Sequence, residues 1–253
     1  MSNSKLVASS LLMLVLATGC GGSGGDSAPP STPPAPAAEG LYNGTTGDGR
    51  STTGIVLDDG TYYFLYSFVG NPNLIAGVVQ GDGTSTGATF TSNNAVDFNL
   101  QGLGVMPATV SATYHPKQSI SGTVSYPTKG AFNTFGGTYN PLYEATPSLT
   151  ALAGTFTGQA ATSAGVETAT VTIQSSGSLS GTGSSGCNFT GTATPRAHGN
   201  VFNVSISFGA APCLFANQTL SGIAFFDANA KRLYTATPNE TRTDGALFVG
   251  TKP

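Results

Sequence analysis

The sequence predicts an all-β protein of antiparallel strands, arranged as an up-and-down barrel or a sandwich, with two β domains in tandem. Composition is the first observation, because 35 Gly and 15 Pro interrupt any long run of helix-forming residues. The second observation is a series of short alternating segments, separated by turn residues at intervals of about ten residues. Such spacing is typical of barrels and sandwiches.

The segment Thr61–Val69, TYYFLYSFV, is apolar on both faces, so it predicts a strand that is covered on both sides. Tyr62, Phe64, Tyr66 and Phe68 share one face and form the best candidate for a ligand or partner surface. Packing in a core is the alternative for this aromatic stripe. The remaining candidate strands are 54–57, 74–80, 88–92, 95–100, 108–114, 119–126, 132–139, 154–159, 168–174, 178–182, 188–194, 201–208, 219–226, 232–237 and 246–250.

Asp-Gly dipeptides at 48–49, 59–60, 82–83 and 244–245 are typical of tight hairpin turns when strand-like runs flank them. We therefore expect a hairpin at each of the four positions.

Two pairs of short motifs indicate an internal repeat. GLYNG at 40–44 resembles GTFTG at 154–158, and QSISG at 118–122 resembles QTLSG at 218–222. Chance similarity is the alternative, because Thr and Gly are so frequent here. A true duplication predicts a first domain over 40–145 and a second over 146–253.

The N-terminus has the features of a secretory signal. Lys5 supplies the positive charge, and Leu6–Leu16 is an apolar run too short to span a bilayer, which takes about 20 residues. Small residues then lead into Cys20. The segment resembles the signal of bacterial lipoproteins, which is cut before a cysteine that carries acyl chains such as palmitate. It departs from that pattern at Ala17, where Leu is usual, so an ordinary secretory signal is the alternative.

This resemblance implies a signal peptide over 1–19 and lipidation of Cys20. Gly21 follows the cysteine, where Asp tends to retain lipoproteins on the inner membrane, so the resemblance implies the outer membrane. Either the periplasmic or the cell-surface face is possible. Residues 20–39 then form a Gly/Pro-rich tether, since the stretch 21–38 has no apolar periodicity and reaches at most about 55 Å.

Cys187 and Cys213 remain as a pair in an oxidising compartment, and we expect a disulfide between them. The predicted strands 188–194 and 201–208 would form a hairpin with Cys187 at its open end. The loop after the hairpin would then fold back to bring Cys213 close. Free thiols or a two-cysteine metal site are the alternatives, but no further Cys or His lies at ligand spacing. We therefore expect no metal site.

An opening strand of glycine, aromatic and glycine residues at 40–44, followed by about eight strands, resembles small envelope barrels. These include lipocalin-like and avidin-like barrels and the barrel lobes of transferrin-binding surface lipoproteins. The resemblance concerns architecture only and implies no particular function.

No pattern in the chain predicts catalytic residues or a cofactor. Gly181–Gly186 matches G-x-G-x-x-G but runs into a predicted strand instead of a helix, and Gly83–Gly87 matches G-x-S-x-G without a following helix. His115 and His198 fall in predicted turns. Asp58-Asp59 lacks the spaced oxygen ligands of a calcium loop.

Only 8% of the residues are charged, the net charge is −3, and no basic cluster occurs, so we expect no nucleic-acid partner. We expect an envelope protein, attached to the membrane through its lipid, that acts as a non-enzymatic binding or structural module with a possible protein partner. A carrier of small apolar ligands with a barrel cavity is the second hypothesis, and an envelope hydrolase is the third.

Overall fold

A computed structural model describes residues 37–253, which form two closed antiparallel β-barrels of eight strands each, in tandem within one compact unit. The predicted fold class is confirmed, and of the two architectures considered the chain adopts the barrel. The signal peptide, Cys20 and most of the tether lie outside the described residues. Between residues 37 and 253, no helix combines the length and apolar character needed to cross a bilayer.

Barrel 1 closes in the order β1-β2-β3-β4-β6-β7-β8-β9, with β9 pairing back to β1, while the short β5 pairs with β6 alone. Its strands are β1 Gly40–Thr46, β2 Ser51–Val56, β3 Thr61–Phe68, β4 Asn71–Asp82, β5 Thr84–Thr86, β6 Thr89–Asn99, β7 Gly104–His115, β8 Ser119–Tyr126 and β9 Ala131–Tyr139.

Barrel 2 runs up and down without interruption, and its last strand pairs with its first. A 3₁₀ turn at Pro141–Glu144 and a one-turn helix, α1 at Leu149–Leu152, connect the barrels. The strands of barrel 2 are β10 Gly154–Thr162, β11 Gly165–Ile173, β12 Ser178–Gly183, β13 Asn188–Pro195, β14 Phe202–Phe208, β15 Thr219–Asp227, β16 Arg232–Pro238 and β17 Gly245–Thr251.

In each barrel, the segment just before the first strand closes one end. Ala38 is fully buried, its amide donates to Ser85 Oγ at 3.0 Å, and its carbonyl accepts a bond from the Tyr42 hydroxyl at 2.9 Å. Leu152 of α1 is likewise fully buried in the core of barrel 2. We call these the closed ends. The open end of barrel 1 carries the turns 47–50, 69–70, 100–103 and 127–130, and the open end of barrel 2 carries 163–164, 184–187, 209–218 and 239–244.

The repeated glycine motif occupies the seam at which each barrel closes. Gly44 pairs with Gly137 of the last strand, and Gly158 pairs with Gly250. A Cβ on Gly44 would lie 1.8 Å from the Gly136 carbonyl oxygen, and one on Gly158 would lie 2.1 Å from that of Val249. The first and last strands approach so closely that only glycine fits at these positions.

Three sequence expectations require correction. Asp82-Gly83 joins β4 to β5, which do not pair with each other, so this dipeptide is not a hairpin turn. The predicted strands 88–92 and 95–100 are one strand, β6, because a bulge between Ser92 and Ala95 bends the chain without ending it. The motifs at 118–122 and 218–222 open the seventh strand of barrel 1 and the sixth of barrel 2, so they are not equivalent.

The outer faces of the two barrels share one buried apolar cluster. Tyr63 and Leu65 of β3 belong to it, as do Phe225 of β15 and Val249 of β17. The inner face of β3 belongs to the core of barrel 1. The expectation of a strand covered on both faces is therefore confirmed for residues 62–67, and the cause is the second barrel. Val69 lies beyond the strand and is exposed.

Three of the four arginines in the chain lie in barrel 2, and all three reach across to barrel 1. Arg196 forms ion pairs with Asp58 at 2.6 Å and Asp59 at 3.2 Å. Arg232 donates to the side-chain and main-chain oxygens of Asn73, at 3.0 and 3.1 Å. Arg242 donates to the carbonyl oxygen of residue 80 at 2.7 Å. Hydrogen bonds and ion pairs therefore supplement the apolar contact between the barrels.

Candidate functional site

The interior of barrel 1 is filled at its closed end and contains a cavity of about 390 Å³ at its open end. Aromatic rings fill the closed half, where Tyr62 packs edge-on against Phe90 with centroids 5.4 Å apart and Phe64 lies 5.2 Å from Phe135. Phe135 also belongs to the apolar part of the cavity wall, together with Val79, Met106 and Val124. A cavity of this volume lies in the range typical of small-molecule sites.

Strand periodicity places one carboxylate in this cavity. Ala95 and Phe90 of β6 belong to the interior of barrel 1, whereas Phe98 belongs to the cluster between the barrels. Because alternate side chains of a strand point to opposite faces, Asp97 and Asn99 point inward with Ala95. Both line the cavity, together with Tyr66 of β3 and Tyr126 of β8.

Asp97 is only 2% exposed, and two tyrosines bind it. The Tyr66 hydroxyl donates to Oδ1 at 2.7 Å, and the Tyr126 hydroxyl donates to Oδ2 at 2.8 Å. Burial raises the pKa of Asp97, and these two bonds together with the charge of Arg50 offset only part of the effect. Burial and the adjacent carboxylate also raise the pKa values of both tyrosines, so their hydroxyls remain donors at neutral pH.

An ion pair lies at the rim of the cavity. Arg50 Nε donates to Asp48 Oδ2 at 2.7 Å, and Nη1 donates to the carbonyl oxygen of Ser67 at 3.1 Å and to the side chain of Gln101. Asp48 is partly buried, which alone would raise its pKa. Hydrogen bonds from Thr46, Asn133 and Arg50 and the charge of Arg50 outweigh burial and lower the pKa of Asp48 to about 2.

The predicted aromatic stripe divides between core and cavity. Tyr62 and Phe64 are buried in the core, Tyr66 lines the cavity, and Phe68 is half-buried at the open end. Its role in binding stays a prediction. Asp97, Tyr126 and Arg50 were not identified from the sequence. No local sequence signal identifies Asp97, because Val96 and Phe98 form the more apolar face of the same strand and, with Leu100 just after it, pack in the cluster between the barrels.

Cys187 and Cys213 form a disulfide with a Cα–Cα distance of 4.5 Å. The hairpin of β13 and β14 carries Cys187 at its mouth, and the following loop folds back to bring Cys213 to it, as the sequence predicted. The bond lies beside a smaller cavity of about 280 Å³ at the open end of barrel 2, which Phe189, Phe208 and Phe215 help to line.

The other sequence motifs lie outside the barrel 1 cavity. His115 ends β7 and His198 lies in the turn after β13, and both are exposed. Asp58 and Asp59 pair with Arg196. The G-x-G-x-x-G segment enters a β-hairpin, and the centre of G-x-S-x-G is the strand β5. Within residues 37–253, no cluster of three or more His, Cys, Asp or Glu side chains could hold a metal ion.

No protein-family model matches the chain, and no curated protein sequence matches it significantly. Among solved structures, a candidate outer membrane protein from Bacteroides fragilis is 16% identical, with a TM-score of 0.27 over 85% of this chain and 96% of that one. Transferrin binding protein B from Haemophilus parasuis is 11% identical, with a TM-score of 0.31 over 87% and 76%. The Neisseria meningitidis protein of that name is also 11% identical, with a TM-score of 0.31 over 81% and 66%. At these values, the matches carry no argument about activity or partner.

Proposed function

We propose that this chain is a non-enzymatic binding protein of the bacterial envelope, with a small-molecule site in barrel 1. The observation that carries the proposal is the cavity of about 390 Å³ with the buried Asp97 in its wall. A structural module needs no such space, because side chains fill the interior of an ordinary small barrel. The polar groups in the wall favour an amphipathic ligand over the purely apolar one considered from the sequence.

Exposed apolar side chains at the open end support this proposal. Leu103 is 65% exposed and Phe132 is 71% exposed, and Val69 lies in the turn after β3 at the same end. Neither Leu103 nor Phe132 contributes to the core of the barrel. Apolar groups around a cavity mouth offer a first contact for a ligand that is leaving water.

The proposed attachment is a lipid on Cys20 at the outer membrane, with domains over 40–145 and 146–253. A tether from Cys20 would join barrel 1 at Ala38, which is buried at the closed end. The described chain therefore begins at the closed end of barrel 1, opposite the cavity mouth. Cys20→Ser should move the protein from the membrane to the soluble fraction, whereas Thr18→Ser should leave it membrane-bound. Retention of the Cys20→Ser protein in the membrane would contradict the proposed anchor.

The ligand site can be tested with N-phenyl-1-naphthylamine, an uncharged probe whose fluorescence rises in apolar surroundings. The full chain with Cys20→Ser would be purified without detergent. We expect saturable binding that Val124→Trp abolishes, because the indole would occupy the cavity that Val124 lines. Thr123→Trp is the matched control, since the neighbouring residue of β8 faces outward. Equal binding by both variants would contradict the proposed site.

A further inference from the structure

We propose that the barrel 1 cavity takes a small organic monocation, whose protonated amine pairs with Asp97 while an apolar body lies along the walls. This inference depends on the proposed binding role of the same cavity and names the class of ligand. It stands on the balance of charge inside barrel 1 and on the shape and chemistry of the walls.

Asp97 is a buried carboxylate whose charge is not paired. Among residues 37–253, it takes part in no ion pair, and its two hydrogen-bond donors are neutral hydroxyls. Each carboxylate oxygen can accept about two bonds, so both oxygens keep capacity for a further donor. A buried ionised carboxylate is unfavourable unless a charge or further donors compensate it. A ligand ammonium supplies both the charge and up to three N–H donors.

The cationic side chains near the cavity do not compensate the charge of Asp97. Arg50 is bound to Asp48 at 2.7 Å and lies over the ring of Tyr66 at 5.6 Å without bonding to Asp97. The charge of Arg50 lowers the pKa of Asp97, but not enough to offset burial. Asp48 and Arg50 therefore neutralise each other at the rim. Lys129 is exposed in the turn after β8, where water solvates its charge. The negative charge of Asp97 is what remains in the deep part of the cavity.

The walls next to Asp97 suit a cation with an apolar body. Tyr66, Tyr126 and Phe135 contribute aromatic rings to the lining, and cations are attracted to such rings within about 6 Å of the centroid. Val79 and Met106 continue the wall with aliphatic surface. An amine with an aromatic or branched alkyl body matches this arrangement of carboxylate, aromatic and aliphatic groups. A carboxylate ligand would instead be repelled by Asp97 at close range.

The test is isothermal titration of the full Cys20→Ser chain with three ligands of similar shape: 2-phenylethylamine, 2-phenylethanol and 3-phenylpropanoate. We expect the amine to bind at least tenfold more tightly than the alcohol, and the carboxylate most weakly. In the Asp97→Asn variant, the amine and the alcohol should bind with about equal affinity. Asp227→Asn is the control, because it removes a charge from the last residue of β15 in barrel 2, which does not line the cavity.

The pH dependence gives a second readout. Protonation of Asp97 removes the partner of the amine, so amine affinity should fall as the pH drops through the pKa of Asp97, while alcohol affinity stays constant. The other charged or titratable groups of the cavity wall are Tyr66, Tyr126, Arg50, Asp48 and Lys129. The raised pKa values of the two tyrosines and the lowered pKa of Asp48 keep these three groups in one charge state from pH 5 to 8. Equal affinity for amine and alcohol would overturn the ligand class and leave the site intact. Failure of all three ligands and of the naphthylamine probe would overturn both proposals.

Discussion

The hydroxyl of Tyr66 donates a 2.7 Å hydrogen bond to Oδ1 of Asp97 and thereby joins β3 to β6 across the interior of barrel 1. Tyr126 completes the arrangement from β8. Three strands that are distant in the sequence therefore hold one buried carboxylate. This arrangement makes Asp97 both the most specific feature of the cavity and a source of pH-dependent stability.

Asp97 should make folding stability depend on pH in a defined direction. Burial raises the pKa of Asp97 above its ordinary value of 3.8, so the folded state binds this proton more tightly than the unfolded state. The contribution of Asp97 to stability is therefore fully present below pH 3.8 and is lost as the pH rises through the folded-state pKa. Asp97→Asn removes this dependence. In urea unfolding between pH 4 and 7, the variant should gain stability relative to wild type as the pH rises.

A difference between Asp97→Asn and wild type that stays constant over this range would contradict the raised pKa. Asp227→Asn serves as the control, because it removes a charge without removing a buried group. Comparison of each variant with wild type cancels the contribution of Asp48, whose lowered pKa acts in the opposite direction.

Gly44→Ala should destabilise barrel 1 by about 2–3 kcal/mol, because the new methyl group would collide with the backbone of β9 at the seam. Gly136→Ala is the matched control on that strand. A Cβ there would meet nothing closer than Ser121 Cβ at 4.0 Å, so a change within about 0.5 kcal/mol is expected. Chemical unfolding measures both effects. If the two variants lost similar amounts of stability, the close approach of β1 and β9 at the seam would not be the cause of the loss.

Arg196 and Asp58 should couple across the contact between the barrels. The pair is about one-third exposed on the aspartate side, so a double-mutant cycle with Arg196→Ala and Asp58→Asn should give about 0.5–1 kcal/mol. The coupling should decrease in 1 M NaCl, because salt screens exposed charges. Arg196→Lys tests geometry, since lysine keeps the charge but cannot bond Asp58 and Asp59 with the same planar group. A coupling energy of zero at low salt would show that the ion pair contributes nothing to the contact.

Loss of the disulfide should lower the free energy of unfolding by about 3.5 kcal/mol, according to the chain-entropy estimate for a loop of 26 residues. Guanidinium unfolding of Cys187→Ser would measure this loss. The same loss is expected for Cys213→Ser and for wild type after reduction. A variant as stable as the oxidised protein would show that the loop 209–218 is held by its other contacts.

Strand positions were largely predictable because alternation and turn residues act locally. The hairpin of β13 and β14 and the approach of Cys213 to Cys187 follow from residues within one short stretch of chain. The error at Asp82-Gly83 has a tertiary cause, since β4 pairs with β3 and β6, leaving β5 to pair with β6 alone. The bulge in β6 could not be predicted from the sequence either, because residues 92–95 resemble a turn when the partner strand β7 is unknown.

The glycines at the seams could be recognised as a repeat from the sequence, but the structural reason for them could not. Gly44 and Gly158 were noticed as a repeat, but their function depends on Gly137 and Gly250, about 90 residues further along. Asp97 escaped notice because a single aspartate between polar and apolar neighbours has no local signature. Its partners, Tyr66 and Tyr126, lie 31 and 29 residues away in sequence.

The residues alone determined the β class, the two-domain division and the cysteine pairing, because backbone propensity, side-chain alternation and short loops depend on neighbouring residues. The closure of each sheet into a barrel, the contact of the three arginines with barrel 1 and the cavity around Asp97 were decided by the tertiary structure. These features arise from pairings between strands far apart in the chain, where burial and charge depend on which distant groups come together.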